Sequence, residues 1–375
     1  MKLHFKPLVK CLATISLLIS ITACEPNPRD DNALFQTFIE ENINKTSDDP
    51  YISSSVKPGD EMYEFLMELQ HGAGYEHLLE PLIEAGNTDA MVWMARMSSN
   101  DVEMRGEVIA LLGRAMEAGN PFAALALSDG GEECRWFGKG SLSTRVGQSI
   151  GIDIPEHIET CSAENWYRAQ QGFKELAEKG DLRAQYYLLQ RQHIDNPDET
   201  RESRDHHIRE IIRFAEGNYY QPLMDYIQTL VVKESDWLNY IVKYKELDSM
   251  VINLLTIAAN HNYIPAVNML INMNYKTIRP DDNLFGKGIL LGSPNSITSL
   301  SYLDYKKKYP LSPEDEYYLL NIYKHLTGET FVFDDVELDD DTKSKVDNKI
   351  KNTIDAMTPM VYIDGFTDRF YWVDR

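Results

Sequence analysis

Apolar residues recur at helical spacing along most of the chain, in blocks of three or four turns separated by two-residue breaks, a pattern that predicts helices joined in pairs. From Met62 the stripe runs through Tyr63, Leu66, Met67 and Leu69, then through Tyr75, Leu78, Leu79, Leu82 and Ile83. Between residues 172 and 188 the joint between two helices is clearest. Phe173, Leu176 and Ala177 share one face, Gly180 interrupts the pattern, and Ala184 and Leu188 resume it on the next helix. Glycine adopts the left-handed conformation that closes a helix without the penalty of a Cβ. Asp181 can then cap the following helix by accepting a hydrogen bond from an unpaired backbone N–H.

The same joint recurs at five other places. Ile83, Gly86, Asn87 and Ala90 repeat the order of Ala177, Gly180, Asp181 and Ala184, as do Met116, Gly119, Asn120 and Ala123. Later copies are Ala215, Asn218, Tyr219 and Pro222, then Ala259, Asn262, Tyr263 and Ala266, then Ile289, Gly292, Ser293 and Ser296. Where glycine is missing, asparagine replaces it, the next best residue for a left-handed cap. Pro121 and Pro294 directly follow their caps, where a missing N–H costs nothing. Recurrence at intervals of a few tens of residues is the signature of stacked helical hairpins.

With Trp166-Tyr-Arg-Ala upstream and Ala184-Gln-Tyr-Tyr-Leu downstream, the pattern Ala-x-x-Gly-(Asn/Asp)-x-x-Ala resembles the Sel-one-like subclass of tetratricopeptide-type repeats. The likeness spans roughly residues 63 to 327, is best at 162–188 and is degraded at 211–230 and 281–304, where Gly286 and Gly288 fall inside an expected helix. The resemblance implies an all-α fold, a right-handed α-solenoid of about six helical hairpins that binds other proteins. It carries over no catalytic residue, because the motif positions of that family are packing positions.

The stretches flanking and interrupting the repeats divide the chain further. Residues 24–60 hold four prolines and the run Ser53-Ser54-Ser55 around one short amphipathic piece from Leu34 to Ile43, and read as a tether. The repeats are expected over 61–330, with an insertion at about 128–160 that is either a binding loop or a tolerated surface excursion. Asp236 to Leu247 reads as an extra helical turn. Ser312-Pro313-Glu314-Asp315 is a strong helix start, and that helix is expected to run to Thr327 and stop at Gly328. In 331–375 an acidic linker precedes a capping helix over 341–357, with Val346, Ile350, Ile354 and Met357 in a stripe. The aromatic tail from Val361 to Val373 could form a hairpin about Asp364-Gly365, and either docks on the hairpins or offers a surface to a partner.

Composition narrows the function classes. The 375 residues are 43% hydrophobic and carry a net charge of −22, with a mean hydropathy of −0.39. Such acidity argues against nucleic acid or anionic lipid as a direct ligand and is compatible with a basic protein partner. Lys2, Lys6 and Lys10 precede an apolar run, Leu12 to Ile21, that is too short to span a bilayer. It ends in Ile21-Thr22-Ala23-Cys24, which resembles a bacterial lipobox. That reading makes residues 1–23 a lipoprotein signal peptide and Cys24 the lipidated residue. Glu25 in place of aspartate favours the outer membrane, with the body facing the periplasm. Cys11 leaves with the signal, so Cys134 and Cys161 remain at the two ends of the insertion. In an oxidising compartment they are expected to pair, the alternative being two buried thiols.

Residues with the spacing of known chemistry are scarce. There is no His-Glu-x-x-His and no paired cysteine spacing for zinc, no Gly-x-Ser-x-Gly, and Gly138-Lys139 lacks the following Ser or Thr of a phosphate loop. His206-His207 lies in a charged run and reads as a solvated helix face. The expectation is therefore a non-enzymatic binder without cofactor or metal. The aromatic candidates for partner contact are Trp136 and Phe137 in the insertion, with Tyr187 and Tyr226. Repeat architecture and lipid anchor together resemble immunity lipoproteins of interbacterial toxin systems, some paired with phospholipase effectors. The alternatives are an envelope scaffold or adaptor for the cell's own proteins, and, more remotely, an enzyme like disulfide-rich relatives of the repeat family.

Overall fold

A computed structural model of the chain describes residues 27–374 except residue 75 and the segments 138–141, 152–160, 196–199, 234–239, 275–276, 280–281, 306–309 and 330–335. The expected signal peptide and Cys24 lie outside the described residues. All six joints adopt one geometry. Gly86, Gly119, Gly180 and Gly292 have positive φ, and Asn218 (61°) and Asn262 (64°) are the non-glycine residues with positive φ among those described. At each, the left-handed residue donates its N–H to the carbonyl three back and its successor donates to the carbonyl five back from itself. The pairs are Gly86 to Ile83 with Asn87 to Leu82, and Gly180 to Ala177 with Asp181 to Leu176. Asn218 to Ala215 with Tyr219 to Phe214, and Gly292 to Ile289 with Ser293 to Gly288, repeat them at 2.9–3.0 Å. Gly119 and Asn262 follow the same rule. The last carbonyls of each first helix are thereby satisfied while the chain reverses.

The next helix starts from the same few residues. The Asn87 side chain accepts the Ala90 N–H at 2.9 Å, Asn120 that of Phe122 at 2.9 Å, Asp181 that of Ala184 at 3.0 Å and Ser293 that of Ser296 at 3.3 Å. The two asparagine corners have no side-chain cap, and their helices instead begin with Pro222 and Pro265.

These corners join six helical pairs: α3 (Leu79–Glu84) with α4 (Thr88–Ser98), α5 (Arg105–Glu117) with α6 (Pro121–Ala126), and α9 (Ala163–Glu178) with α10 (Leu182–Asp195). The others are α11 (Arg201–Glu216) with α12 (Gln221–Leu230), α13 (Asp248–Asn260) with α14 (Ile264–Met273), and α15 (Asn283–Leu290) with α16 (Pro294–Tyr305). Each pair packs on the next, α4 on α5, α6 on α9, α12 on α13 and α14 on α15. Tyr186 against Phe214, ring centres 5.6 Å apart, bridges α10 and α11. After α16 come α17 (Pro313–Thr327), stopped by Gly328 at φ 74°, and α18 (Asp340–Ala356), packed on α17 as the capping helix. α17 also packs on α2 (Tyr63–His71), so the end of the hairpin series meets its beginning.

Three expectations fail. Residues 28–60 are not a free tether. Helix α1 (Asp31–Asn42) buries Phe35, Phe38 and Ile39 against α11 and α13. Asp31 (1% exposed) binds Arg204 through both oxygens and accepts the Tyr226 hydroxyl at 2.8 Å. Ser55 then ties the following segment to the tail, its N–H donating to the Val361 carbonyl at 2.7 Å. The apolar stripe from Leu34 to Ile43 marked a docking face, and proline content outweighed it in the tether reading. The expected extra helical turn at 236–247 is instead strand β2 (Tyr240–Val242), antiparallel to β1 (Val231–Lys233), followed by a short 3-10 turn at Lys245–Leu247. Val231, Val232, Ile241 and Val242 are β-branched and suit the pleat. Trp237 lies outside the described residues. No strand pair forms about Asp364-Gly365. The Asp364 side chain accepts the N–H groups of Phe366 and Thr367, and this local turn replaces a ladder.

Within the insertion, α7 (Cys134–Phe137) and α8 (Leu142–Ser149) are short. Its base is closed by the Cys134–Cys161 disulfide and by a parallel bridge between Ser128 and Ser162.

Two outcomes test these features. Asn218→Ala keeps the Cβ but loses the short polar side chain that eases the left-handed conformation and should destabilise by up to about 1 kcal/mol, whereas Asn218→Gly should be neutral or slightly stabilising, both read from urea unfolding. Replacing Cys134 and Cys161 together by serine should cost on the order of 3 kcal/mol. It should also raise amide exchange from Ser128 to Ser162 without raising it at the α13–α14 corner.

Candidate binding site

Residues 357–374 pack against several of the helical pairs, and the site is built between them and the second helices of three pairs. Met360, Val361 and Ile363 are fully buried. Gln70 holds the segment on both edges: its amide nitrogen donates to the Met360 carbonyl at 2.8 Å, and its amide oxygen accepts the Tyr362 N–H at 2.8 Å. Its backbone carbonyl also accepts the Asp374 N–H at 2.8 Å.

Arg96 on α4 clamps the middle of the tail. Its guanidinium donates to the carbonyls of Gly365 (2.9 Å) and Thr367 (3.2 Å) and to the Glu133 carboxylate (3.0 Å). The same group lies over the rings of Trp93 and Trp372, about 5 Å from each centre. Gly365 sits against Phe122 so closely that a Cβ would fall 2.5 Å from the ring. Phe366 beyond it packs against Phe122 and Phe173 and stacks on Tyr187 with ring centres 4.8 Å apart. The tail therefore docks, one of the two expected outcomes. Phe370 and Tyr371 nevertheless project outward, 91% and 59% exposed.

Between the tail and helices α10, α12 and α14 a cavity of about 690 Å³ remains open. Tyrosines form much of its wall, with Tyr186, Tyr219, Tyr240 and Tyr362 among them. On one side Asp225 accepts hydrogen bonds from the Tyr186 hydroxyl (2.6 Å) and the Gln221 amide (2.7 Å), and Gln221 in turn accepts from Tyr263 (3.0 Å). Burial pushes the Asp225 carboxyl above the usual range, and the nearby Asp364 charge adds to the rise. Asp364 is raised by burial too, though Arg183 opposes the shift. Asp374 accepts from Asn268 (2.8 Å) and Ser293 (2.6 Å), and burial pushes its carboxyl up to about 6. Asn272, also on the wall, keeps a buried amide oxygen without a hydrogen-bond partner.

The aromatic candidates part company here. Tyr187 lines the cavity, held by the Gln170 amide at 3.0 Å and by Phe366. Tyr226 is 6% exposed, and its hydroxyl serves the Asp31–Arg204 pair, so it is a core residue and not a partner contact. Trp136, 39% exposed on α7, is not among the cavity's lining residues. The Phe137 side chain lies outside the described residues. Arg96, Asp225 and Asn272 gave no warning in sequence, whereas Phe366 lies in the aromatic tail that the sequence marked; their meeting depends on the path of that tail. Among the described residues no group of three or more His, Cys, Asp or Glu is placed to hold a metal, and no helix is long and apolar enough to cross a membrane.

The buried Asp374 has a pH signature. Its folded carboxyl holds a proton more tightly than the unfolded one, so its contribution is fully present below about pH 4 and is lost as pH rises through about 6. His71, lowered to about 4 by burial, works in the opposite direction over an overlapping range. Asp374→Asn removes only the first effect. The stability of the variant relative to the native chain should rise by on the order of 2–3 kcal/mol between pH 4 and 7, measured by urea unfolding at several pH values.

No protein-family model, curated protein or solved structure matches the chain.

Proposed function

We propose that this chain is a non-enzymatic protein-binding module, an α-solenoid of Sel-one-like hairpins held in the cell envelope by lipid on Cys24 and facing the periplasm. Its partner in this reading is a secreted antibacterial toxin, such as a phospholipase, which it neutralises by covering the active-site mouth or membrane-docking face. The observation that carries the proposal is the set of six corners sharing one pair of hydrogen bonds, beside an open groove on the inner side of the hairpins. Repeated hairpins stacked this way offer an extended surface rather than a reaction centre. The net charge of −22 would speed encounter with a basic partner. The exposed Phe370 and Tyr371 supply large rings at the groove edge for grip.

The test expresses a secreted toxin encoded beside this gene in the periplasm, with and without the protein. Growth should be restored by the native chain and impaired by the Phe370→Ala/Tyr371→Ala pair. Equal arrest with and without the protein would remove the immunity role and leave the scaffold for the cell's own proteins as the reading to pursue.

A further inference from the structure

We infer that the cavity between the tail and helices α10, α12 and α14 receives a basic side chain, arginine by preference, from an extended segment of the protein partner. The inference rests on the protein-binding reading above and assigns its point of contact. The cavity's own cations are already engaged. Arg183 is bound to Asp181 by two hydrogen bonds, at 2.7 and 3.3 Å. Arg369 points away, its guanidinium donating to the Arg96 carbonyl and to the Ser99 hydroxyl. Lys233 lies over the Tyr240 ring, 5.7 Å from its centre.

Its acceptors are not matched in the same way. Asp225 is held by neutral donors, Tyr186, Gln221 and, at 3.4 Å, Gln190, and no cation among the described residues is bonded to it. Asp364 stands on the same wall, bonded to backbone N–H groups and to the Thr367 hydroxyl with the Arg183 charge near it, so Asp225 is the less balanced of the two. The Asn272 amide oxygen is buried and has no donor. A guanidinium brings five donors in a flat fork and stacks on aromatic faces, which suits a chamber that combines carboxylates, an orphan amide oxygen and tyrosine rings. Phe370 and Tyr371 at the edge would flank the chain that carries it. An anionic or wholly apolar occupant would leave Asp225 and Asn272 unmatched, and burial makes such mismatches costly.

The experiment uses the purified protein and a dye-labelled capped pentapeptide, Gly-Leu-Arg-Leu-Gly, beside the same peptide with citrulline, the neutral isostere of arginine, read by fluorescence anisotropy. The arginine peptide should bind at least tenfold more tightly than the citrulline peptide. Asp225→Asn should erase most of that difference, and Asp315→Asn, a half-exposed carboxylate on α17, should not. Because Asp225→Asn also disturbs the Tyr186–Gln221 network, Phe370→Ala serves as a second variant. Its side chain is almost wholly exposed, so folding should be unaffected while the arginine peptide binds several-fold more weakly. Equal binding of the two peptides, no binding of either, or an unchanged affinity in both variants would overturn the assignment. Free arginine amide competing as well as the peptide would replace the protein segment by a small cation. Growth rescue from the toxin separates this inference from the reading it rests on. Rescue that survives Asp225→Asn keeps the binding module and discards the cavity. Arginine-selective binding without rescue by the native chain does the reverse.

Discussion

Every hairpin in this protein depends on a residue that can sit at positive φ while two successive N–H groups close the helix behind it. A helix that ends inside a packed array leaves carbonyls with nowhere to turn, and the 3-back and 5-back bonds at Gly86, Gly180 or Gly292 satisfy them within a single turn. Asn218 and Asn262 achieve this with a side chain, and Asn262 uses its amide to bind the Asp49 carbonyl at 3.0 Å as well. A corner residue there serves both its own turn and the strap that crosses it.

The helices that these corners join are not left bare. Residues 357–374 lie along them, with Arg96 holding the tail at Gly365 and Thr367 while its charge is spread over Glu133 and two indole rings. A buried arginine that donates from each of its three nitrogens in this way holds the tail at Gly365 and Thr367. The cavity has a composite wall, helices on one side and the chain's own end on the other. The carboxylates on that wall carry a desolvation cost that well-packed apolar residues would avoid.

Both ends of the chain reinforce this arrangement. Helix α1 is tied to α11 and α12 through the Asp31–Arg204–Tyr226 cluster and packs on α13, and the Ser54–Ser55 stretch bonds to Val361 and Ile363 in the tail. Contact between α2 and α17 then limits how far the series can open. Motions that admit a partner are expected at the tail's outer edge, where Phe370 and Tyr371 are exposed, more than between hairpins.

The sequence by itself determined the local order: six corners, their caps, the stop at Gly328 and the stripe of the last helix. Each of these rests on residues near one another in the chain, whereas the pairing of Cys134 with Cys161, one of two alternatives in the sequence, was decided by the structure. Local signals also misled where packing overrode them, at the proline-rich 28–60 segment that docks, at the strand of 240–242, and at Tyr226, an aromatic that proved to be core. Only the tertiary structure decided the path of the tail, the Arg96 clamp on Gly365 and Thr367, and the meeting of Asp225, Asp364 and Asn272 around one cavity. Those residues lie far apart in the chain, and no periodicity encodes which of two faces a non-repeating segment will choose. That choice follows from the shape of the space that the repeated corners leave behind.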